Sequence, residues 1–195
     1  MENTLKNLRQ SLIATGLFLL EVLKVAVLAG ITIALVRYYL FKPFYVKGAS
    51  MEPNFYDHEY LIIDELSYRL RPIERGEVIV FKYPGDPKEY FLKRVIGLPG
   101  ERVKIADGHV TIYNTAHPEG VTLDESYLPK DLSTVGEKVT QVGDNQFFVL
   151  GDNRPNSFDS RRFGTIDRSA IVGRAWLRGW PFNRVQTFSA PQLNA

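Results

Sequence analysis

Apolar residues are distributed in two different ways along the chain. Leu12–Phe41 is mostly apolar and carries only three charged side chains, which predicts one long helix. Its uncharged run, Val25–Val36, is short for a membrane span, which needs about 20 apolar residues. Lys24 and Arg37 lengthen the usable segment, because their aliphatic stems reach outward to water. We therefore predict a short N-terminal tail at 1–11 and a transmembrane anchor at 12–41.

An amphipathic or buried helix and a cleavable signal peptide are the alternatives to an anchor. The apolar run is long and starts far from the first residue, and no clean Ala-x-Ala site follows it, so we keep the interpretation of an uncleaved anchor. Flanking charges leave its orientation open, because Lys6 and Arg9 precede it and Arg37, Lys42 and Lys47 follow it. Counted locally, they place the C-terminal side in the cytoplasm.

From residue 42 onward, short β-rich runs alternate with turn-forming residues. Asp107-Gly108, between two such runs, predicts a hairpin. We predict a mainly β domain at 42–195, built as an antiparallel curved or barrel-like sheet, with an irregular hairpin excursion at 107–145. The predicted strands are Tyr60–Asp64, Glu77–Tyr83, Tyr90–Ile96, Glu101–Ala106, His109–Asn114, Phe147–Leu150 and Ala170–Leu177.

Composition excludes several functional classes. The 195 residues carry 24 basic and 22 acidic side chains, so no nucleic-acid partner is expected. The absence of cysteine excludes disulfides, thiolate metal sites and cysteine nucleophiles. Three histidines without HExxH or paired spacing do not predict a zinc hydrolase, and we expect neither a metal nor a cofactor.

The segment Val46–Asn54 (VKGASMEPN) contains a candidate nucleophile, Ser50. The small residues Gly48 and Ala49 let a substrate backbone approach closely. A serine hydroxyl attacks only after a base takes its proton, and such a serine is commonly just a hydrogen-bonded loop residue. No histidine lies in an apolar setting that would orient it, so a Ser-His-Asp triad is disfavoured.

Lys93 is the other candidate, within the predicted strand Tyr90–Ile96 (YFLKRVI). Lys93 and Arg94 point to opposite faces of a strand, so we expect one of the two to point inward. Burial disfavours the ammonium and lowers the pKa of a lysine from about 10.4. A neutral lysine beside Ser50 is able to act as its base. The commoner alternative is a strand lysine whose amine reaches solvent.

The third segment, Gly151–Gly164 (GDNRPNSFDSRRFG), is dense in short polar side chains. Such side chains bond their own backbone in turns. Its three arginines are able to form bidentate pairs with Asp152 or Asp159. This segment is either a structural turn network, a support for Ser50 and Lys93, or both.

Taken together, three segments resemble the type I signal peptidases, membrane-anchored Ser/Lys endopeptidases that remove leader peptides from exported proteins. The segments are Gly48–Pro53 (GASMEP), Lys93–Glu101 (KRVIGLPGE) and Gly151–Arg161 (GDNRPNSFDSR). With the apolar segment and the β-rich pattern, the resemblance covers the chain from about Leu17 to Phe182. It implies a serine endopeptidase whose partners are membrane lipid and preproteins with signal peptides, cut at small-x-small sites.

The resemblance also implies a role for each matched residue. Ser50 would be the nucleophile, with its backbone N–H as an oxyanion donor, and Lys93 the general base. Ser157 would orient Lys93, and Asp159 and Arg161 would form a supporting salt bridge. Some relatives have a serine two positions before the nucleophile as a second oxyanion donor, whereas this chain has a glycine there.

The substrate would bind as an added strand, held by backbone hydrogen bonds. Met51 and Leu92 would wall the pocket for the residue before the cut. The segment from Lys93 to Gly151 is short, so the second domain of longer relatives would be reduced to 107–145. The family arrangement places the catalytic domain on the exported side, opposite to the local charge count, and we prefer it.

Two other functions share some of these features. A non-catalytic, membrane-anchored β domain would bind exported peptides as an added strand without cutting them. A Ser/Lys self-cleaving regulator would have a DNA-binding helical module at the start, where this chain has an apolar segment.

Overall fold

The computed structural model describes residues 2–39 and 41–195. Contacts divide the chain into two compact units, Met1–Phe41 and Lys42–Ala195. The first unit is the helix α1 (Glu2–Tyr39), in agreement with the predicted long helix. Within it, Ser11–Ala34 is a 24-residue segment of mean hydropathy 2.2, long and apolar enough to cross a membrane. Its apolar side chains are exposed, as a lipid-facing helix requires.

The second unit is mainly β, with a few single-turn helices. Its strands are β1 (Phe41–Tyr45), β2 (Tyr60–Asp64), β3 (Val78–Tyr83), β4 (Asp86–Gly97), β5 (Arg102–Ala106), β6 (His109–Tyr113), β7 (Val121–Thr122), β8 (Lys138–Gln141), β9 (Gln146–Leu150), β10 (Ile166–Asp167), β11 (Ile171–Trp180) and β12 (Gln186–Thr187). The α-helical turns are α2 (Ser67–Leu70) and α3 (Ser160–Phe163), and 3-10 turns cover Arg154–Asn156, Arg168–Ala170 and Phe182–Arg184.

The strands form two sheets. The larger has the order β1-β2-β11-β3-β4-β9-β10, with β12 also paired to β11, and the smaller has the order β7-β6-β5-β8. The pairs formed by β2 to β12 are antiparallel. The prediction of a mainly β, antiparallel fold behind one apolar helix is therefore confirmed. Neither strand order closes on itself within the described residues, so the sheets are curved and open.

Each strand predicted from the sequence is present, although several bounds differ. β4 starts at Asp86 and β11 continues to Trp180, because pairing with neighbouring strands extends both beyond their apolar cores. The range 107–145, which the sequence indicates as an irregular excursion, contains β6, β7 and β8 of the smaller sheet. β7 and β8 are only two and four residues long, too short to show a clear alternation.

β4 runs through the middle of the packed interior. Leu92 belongs to the cluster beneath the β1–β2 loop, Val95 to a second cluster and Ile96 to a third, which lies on the β5–β6 hairpin. Because both faces of β4 are covered here, Lys93 and Arg94 are both buried, at 4% and 5% exposure. The expectation that only one of these two cations points inward is thus incomplete.

Candidate active site

Ser50 lies near the start of the loop that joins β1 to β2. At the neck of this loop, the Val46 N–H donates to the Glu59 carbonyl at 2.9 Å. Inside it, the Phe55 N–H donates to the Met51 carbonyl at 2.9 Å. Met51 and Phe55 are each 1% exposed and pack into the core below. Packing and hydrogen bonds thus hold the β1–β2 loop against the core.

Lys93 Nζ is 2.8 Å from Ser50 Oγ and 2.8 Å from the Leu92 carbonyl oxygen. Burial lowers the pKa of Lys93 to about 8, although the carboxylates of Asp159 and Asp152 act in the opposite direction. With this pKa, about a tenth of the lysine side chains are neutral at pH 7. The two residues therefore have the geometry and the protonation equilibrium of a nucleophile and its base.

Asp159 and Arg161 form a bidentate ion pair, as the resemblance implies. Arg161 Nε and Nη2 each lie 2.8 Å from an Asp159 carboxylate oxygen. Asp159 also accepts the Gly151 N–H at 3.1 Å, so the pair holds both ends of the turn that follows β9. Burial by itself would raise the pKa of Asp159, but the hydrogen bond and charge of Arg161 outweigh it and hold this pKa below its usual value.

Ser157 is buried against the start of the same turn. A Cβ added at Gly151 would lie 2.2 Å from Ser157 Oγ and 2.5 Å from the Ser50 carbonyl oxygen, so only glycine fits there. Among the residues that the structure describes, Ser157 Oγ makes no hydrogen bond of normal geometry, although its proximity helps to lower the pKa of Asp159. The bond to Lys93 that the resemblance implies is thus not formed, and this role of Ser157 stays a prediction.

Asp152 links all three sequence segments. Its partner is Arg94 of β4, whose Nε and Nη2 lie 2.8 and 2.6 Å from the two carboxylate oxygens. Asn54 Nδ2, from the β1–β2 loop, donates to the same carboxylate at 2.9 Å. Of the two acids named as partners for the arginines of this segment, Asp159 pairs with Arg161, whereas Asp152 pairs with Arg94 of β4.

Arg154 instead faces the excursion, where it is 1% exposed. Its Nη1 donates to Glu125 at 2.9 Å, its Nη2 to the Tyr127 hydroxyl at 2.9 Å and its Nε to the Gly151 carbonyl at 3.1 Å. Thr134 completes this set. The excursion is thus attached to the turn that supports the Ser50–Lys93 pair.

Asn153 bonds the backbone at Ser50 from the opposite side. Its N–H donates to the Ser50 carbonyl at 3.1 Å, and its side-chain amide donates to the Ala49 carbonyl at 3.0 Å. Two bonds from one residue leave the backbone on either side of Ser50 little freedom to rotate.

A cleft of about 610 Å³ borders the pair. Its two long walls are the segments 44–51 and 89–93, with Asn156 and Phe158 at one side. Met51 and Leu92 are in these walls, as the resemblance implies. No group of three His, Asp or Glu side chains that could hold a metal occurs in the described part of the chain.

The family model described as "Signal peptidase, peptidase S26" matches residues 19–180. This chain belongs to the signal peptidase family. Over 172 residues it is 40% identical to a Synechocystis protein named "Probable signal peptidase I-2", covering 85% of this chain and 75% of the relative. It is 37% identical to signal peptidase I of Leptolyngbya laminosa over 183 residues, covering 89% and 85%.

A Staphylococcus aureus signal peptidase IB is 32% identical over 176 residues, covering 85% of this signal peptidase chain and 91% of the relative. A crystal structure of a signal peptidase I from Enterococcus faecalis is 31% identical, with a TM-score of 0.45, and the alignment covers 53% of this chain and 97% of that chain.

Sequence reasoning on this signal peptidase missed several supporting residues. The sequence predicts no partner for Arg94, although a buried arginine needs one, and the structure pairs it with Asp152. Asn54, Glu125 and Asn153 received no individual role, because polar residues in loops carry no signal that tells which distant atom they bond.

Proposed function

We propose that this chain is a membrane-bound serine endopeptidase that removes N-terminal signal peptides from exported preproteins at small-x-small sites. The observation that supports this proposal most directly is the 2.8 Å contact between Ser50 Oγ and the buried Lys93 Nζ, which lies beside an open cleft. Membership of the signal peptidase family gives the substrate class.

In this proposal the substrate lies extended between the two long walls of the cleft, where backbone hydrogen bonds supply affinity. The side chain before the cut enters the space between Met51 and Leu92. Large substrate side chains are excluded because Met51 and Leu92 both belong to the packed core. Neither side chain is able to move aside without opening a cavity.

Neutral Lys93 then takes the Ser50 proton as the serine oxygen attacks the scissile carbonyl carbon. The Ser50 N–H donates to the oxyanion that forms. The Lys93 ammonium returns the proton to the leaving amine as the peptide bond breaks, which gives an acyl-enzyme. Water, deprotonated by Lys93, releases the leader, and the proton returns to Ser50.

The charges around Lys93 serve both halves of this cycle. Burial makes the neutral amine accessible near neutral pH, whereas Asp159 and Asp152 favour the ammonium. Both effects are needed, because a base must exist neutral in the free enzyme and be stabilised once it carries the proton.

We also propose that the apolar helix is an uncleaved anchor and that the second unit acts on the exported side. Its 24-residue apolar segment fits a single span, and the family is membrane-associated. Membrane lipid is thus a partner, and it brings the enzyme to leaders that are themselves in the bilayer.

Cleavage of a preprotein with Ala-x-Ala before the cut tests the proposal. Full-length protein in detergent is compared with the variants Ser50→Ala and Lys93→Ala, and with matched controls at an exposed serine and lysine, Ser126→Ala and Lys82→Ala. We expect cleavage at the leader junction, abolished by the first two changes and retained by the controls.

A serine-directed acylating probe separates an enzyme from a peptide-binding domain. The probe should label Ser50 in the wild type and in both controls, and should fail in Lys93→Ala. Folded wild type that neither cleaves several leaders nor reacts with the probe would favour the non-catalytic binding domain.

A further inference from the structure

Asp57 bonds the backbone just ahead of the nucleophile. Its Oδ1 accepts the Gly48 N–H at 3.0 Å and the His58 N–H at 3.0 Å. Gly48 stands two residues before Ser50, at the edge of the cleft. We infer that Asp57 is a positioning residue, which fixes the Gly48 peptide and through it the Ser50 hydroxyl and N–H. This inference rests on the proposed function.

Gly48 depends on such a bond because little else holds it. Its φ is +86°, a conformation that glycine adopts readily and other residues rarely do. Outside residues 47–49, no atom lies within 4 Å of the position where its Cβ would be, so packing does not restrain it. This open space lets a substrate strand pass close to the backbone, but it leaves hydrogen bonding as the restraint.

The Asp57 bond complements the support from Asn153. Asn153 holds the carbonyl groups of Ala49 and Ser50, whereas Asp57 holds the N–H of Gly48. Peptide groups are planar, and the Ala49 carbonyl shares its group with the Ser50 N–H. Asp57 fixes the Lys47–Gly48 group and Asn153 fixes the Ala49–Ser50 group, so only the Gly48–Ala49 group between them lacks a bond from either residue. An oxyanion donor works only when it is already aimed at the developing charge.

The bond also determines which donors face the cleft. Because the Gly48 N–H is directed to Asp57, it is not offered to the substrate or to the oxyanion. In this role Asp57 Oδ1 acts only as a hydrogen-bond acceptor, so an amide oxygen in the same place should largely replace it.

Neighbouring groups supply a control. Asp57 Oδ2 lies 3.3 Å from His58 Nε2, and His58 Nδ1 contacts the Tyr45 hydroxyl. His58 has a φ of 67°, so His58→Gly relieves its backbone rather than straining it. That variant removes the Asp57–ring and Tyr45–ring contacts but leaves the Asp57–Gly48 bond in place.

The test compares wild type with Asp57→Ala, Asp57→Asn and His58→Gly, using full-length protein in detergent and a leader peptide. We expect Asp57→Ala to lower kcat by about fivefold to tenfold, the range for loss of an ordinary hydrogen bond, because the Asp57 side chain is partly exposed to solvent. KM should change less than about threefold, because the walls of the cleft remain. Labelling of Ser50 by the acylating probe should slow in parallel.

Asp57→Asn and His58→Gly decide whether the Asp57 oxygen positions Gly48. Asp57→Asn should restore kcat to within about threefold of wild type, and His58→Gly should match wild type. The inference is overturned if Asp57→Ala keeps its kcat, if Asp57→Asn is as slow as Asp57→Ala, or if His58→Gly is equally slow. Where Asp57→Ala does not fold, Asp57→Glu replaces it, because it keeps the charge but moves the acceptor by one methylene.

Failure of this inference and failure of the proposed function give different results. A wild type that cleaves, with Ser50→Ala inactive and Asp57→Ala fully active, rejects only the role of Asp57. A wild type that does not cleave rejects the proposed function, and with it the inference.

Discussion

Two opposing effects act on the Lys93 side chain: burial favours its neutral form, and nearby carboxylates favour its charged form. It is 4% exposed and touches the Ser50 hydroxyl, and burial lowers its pKa to about 8. Since the protonated lysine cannot accept a proton, the catalytic rate should follow the neutral fraction. Cleavage should therefore become faster as the pH rises.

We expect kcat/KM for leader cleavage to rise about tenfold per pH unit up to a midpoint near pH 8, then level off. The measurement is cleavage of one peptide from pH 6 to 10, with Lys82→Ala as a control that should keep the same midpoint. A flat profile between pH 6 and 9 would exclude Lys93 as the base.

The same burial predicts that Lys93 costs stability. Its pKa is about 8 folded and about 10.4 unfolded, so the cost is complete below pH 8 and disappears as the pH rises between these values. Lys93→Met should therefore raise the free energy of unfolding by about 1–3 kcal/mol at pH 7. Denaturant titration checks this, and the gain should shrink at pH 10. A less stable variant at pH 7 would contradict the prediction.

At the scale of elements, the β4–β9 pairing brings the distant segments together. Arg94 pairs with Leu150 in register, so the turn that follows β9 starts beside Arg94 and places Asp152 within its reach. The same turn returns through Asp159, which holds the Gly151 N–H and the Arg161 guanidinium. Register between strands, more than local sequence, therefore assembles the site.

We expect Arg161→Met to destabilise the protein by about 3–5 kcal/mol, because it leaves the Asp159 carboxylate buried and without its cation. Arg161 holds the Asp159 pKa below its usual value, so the pair stabilises above the unfolded pKa of about 3.9 and the contribution fades as the pH falls through the folded pKa. The loss in Arg161→Met should thus be largest at neutral pH.

The exposed neighbour Arg162 is the matched control for this change. Arg162→Met should alter stability by less than about 0.5 kcal/mol. Equal losses in the two variants, measured by denaturant titration at pH 7, would show that net charge rather than the buried pair is responsible.

The sequence predicts features that depend on neighbouring residues, and it does not predict those that depend on residues far away along the chain. The bounds of β2 follow from its own residues and match the prediction. In contrast, β7, β8, β10 and β12 have only two to four residues, and their formation depends on pairing with a neighbouring strand. Likewise, the resemblance to the family assigns roles to Ser50, Lys93, Asp159 and Arg161, because the segments that contain them match the family in residue type and order. The partners of Asp152 and Arg154 do not, because both lie far away along the chain.

At the scale of the whole molecule, the chemistry and the apolar helix belong to different compact units. Every residue of the proposed site lies in Lys42–Ala195, and the apolar segment lies in Met1–Phe41. The second unit buries its apolar side chains in three clusters, whereas the apolar side chains of the first are exposed, and we propose that lipid covers them.

A chain shortened to residues 40–195 should therefore fold and cleave a short leader peptide with a kcat/KM within about threefold of the full chain. It should leave the membrane fraction in alkaline carbonate, whereas the full chain stays, and should process bilayer-inserted preproteins more slowly. A shortened chain that resists carbonate would show that the second unit binds lipid strongly by itself.

The attachment of the excursion to Arg154 has a consequence for length variation in this part of the chain. Extra residues near 114–120, a turn bonded mostly to itself, would extend away from the site without disturbing it. Extra residues between Glu125 and Thr134 would pull one or more partners off a buried guanidinium that also holds the Gly151 carbonyl. Grafted modules and natural insertions should thus be tolerated near 114–120, before Glu125, and not between Glu125 and Thr134.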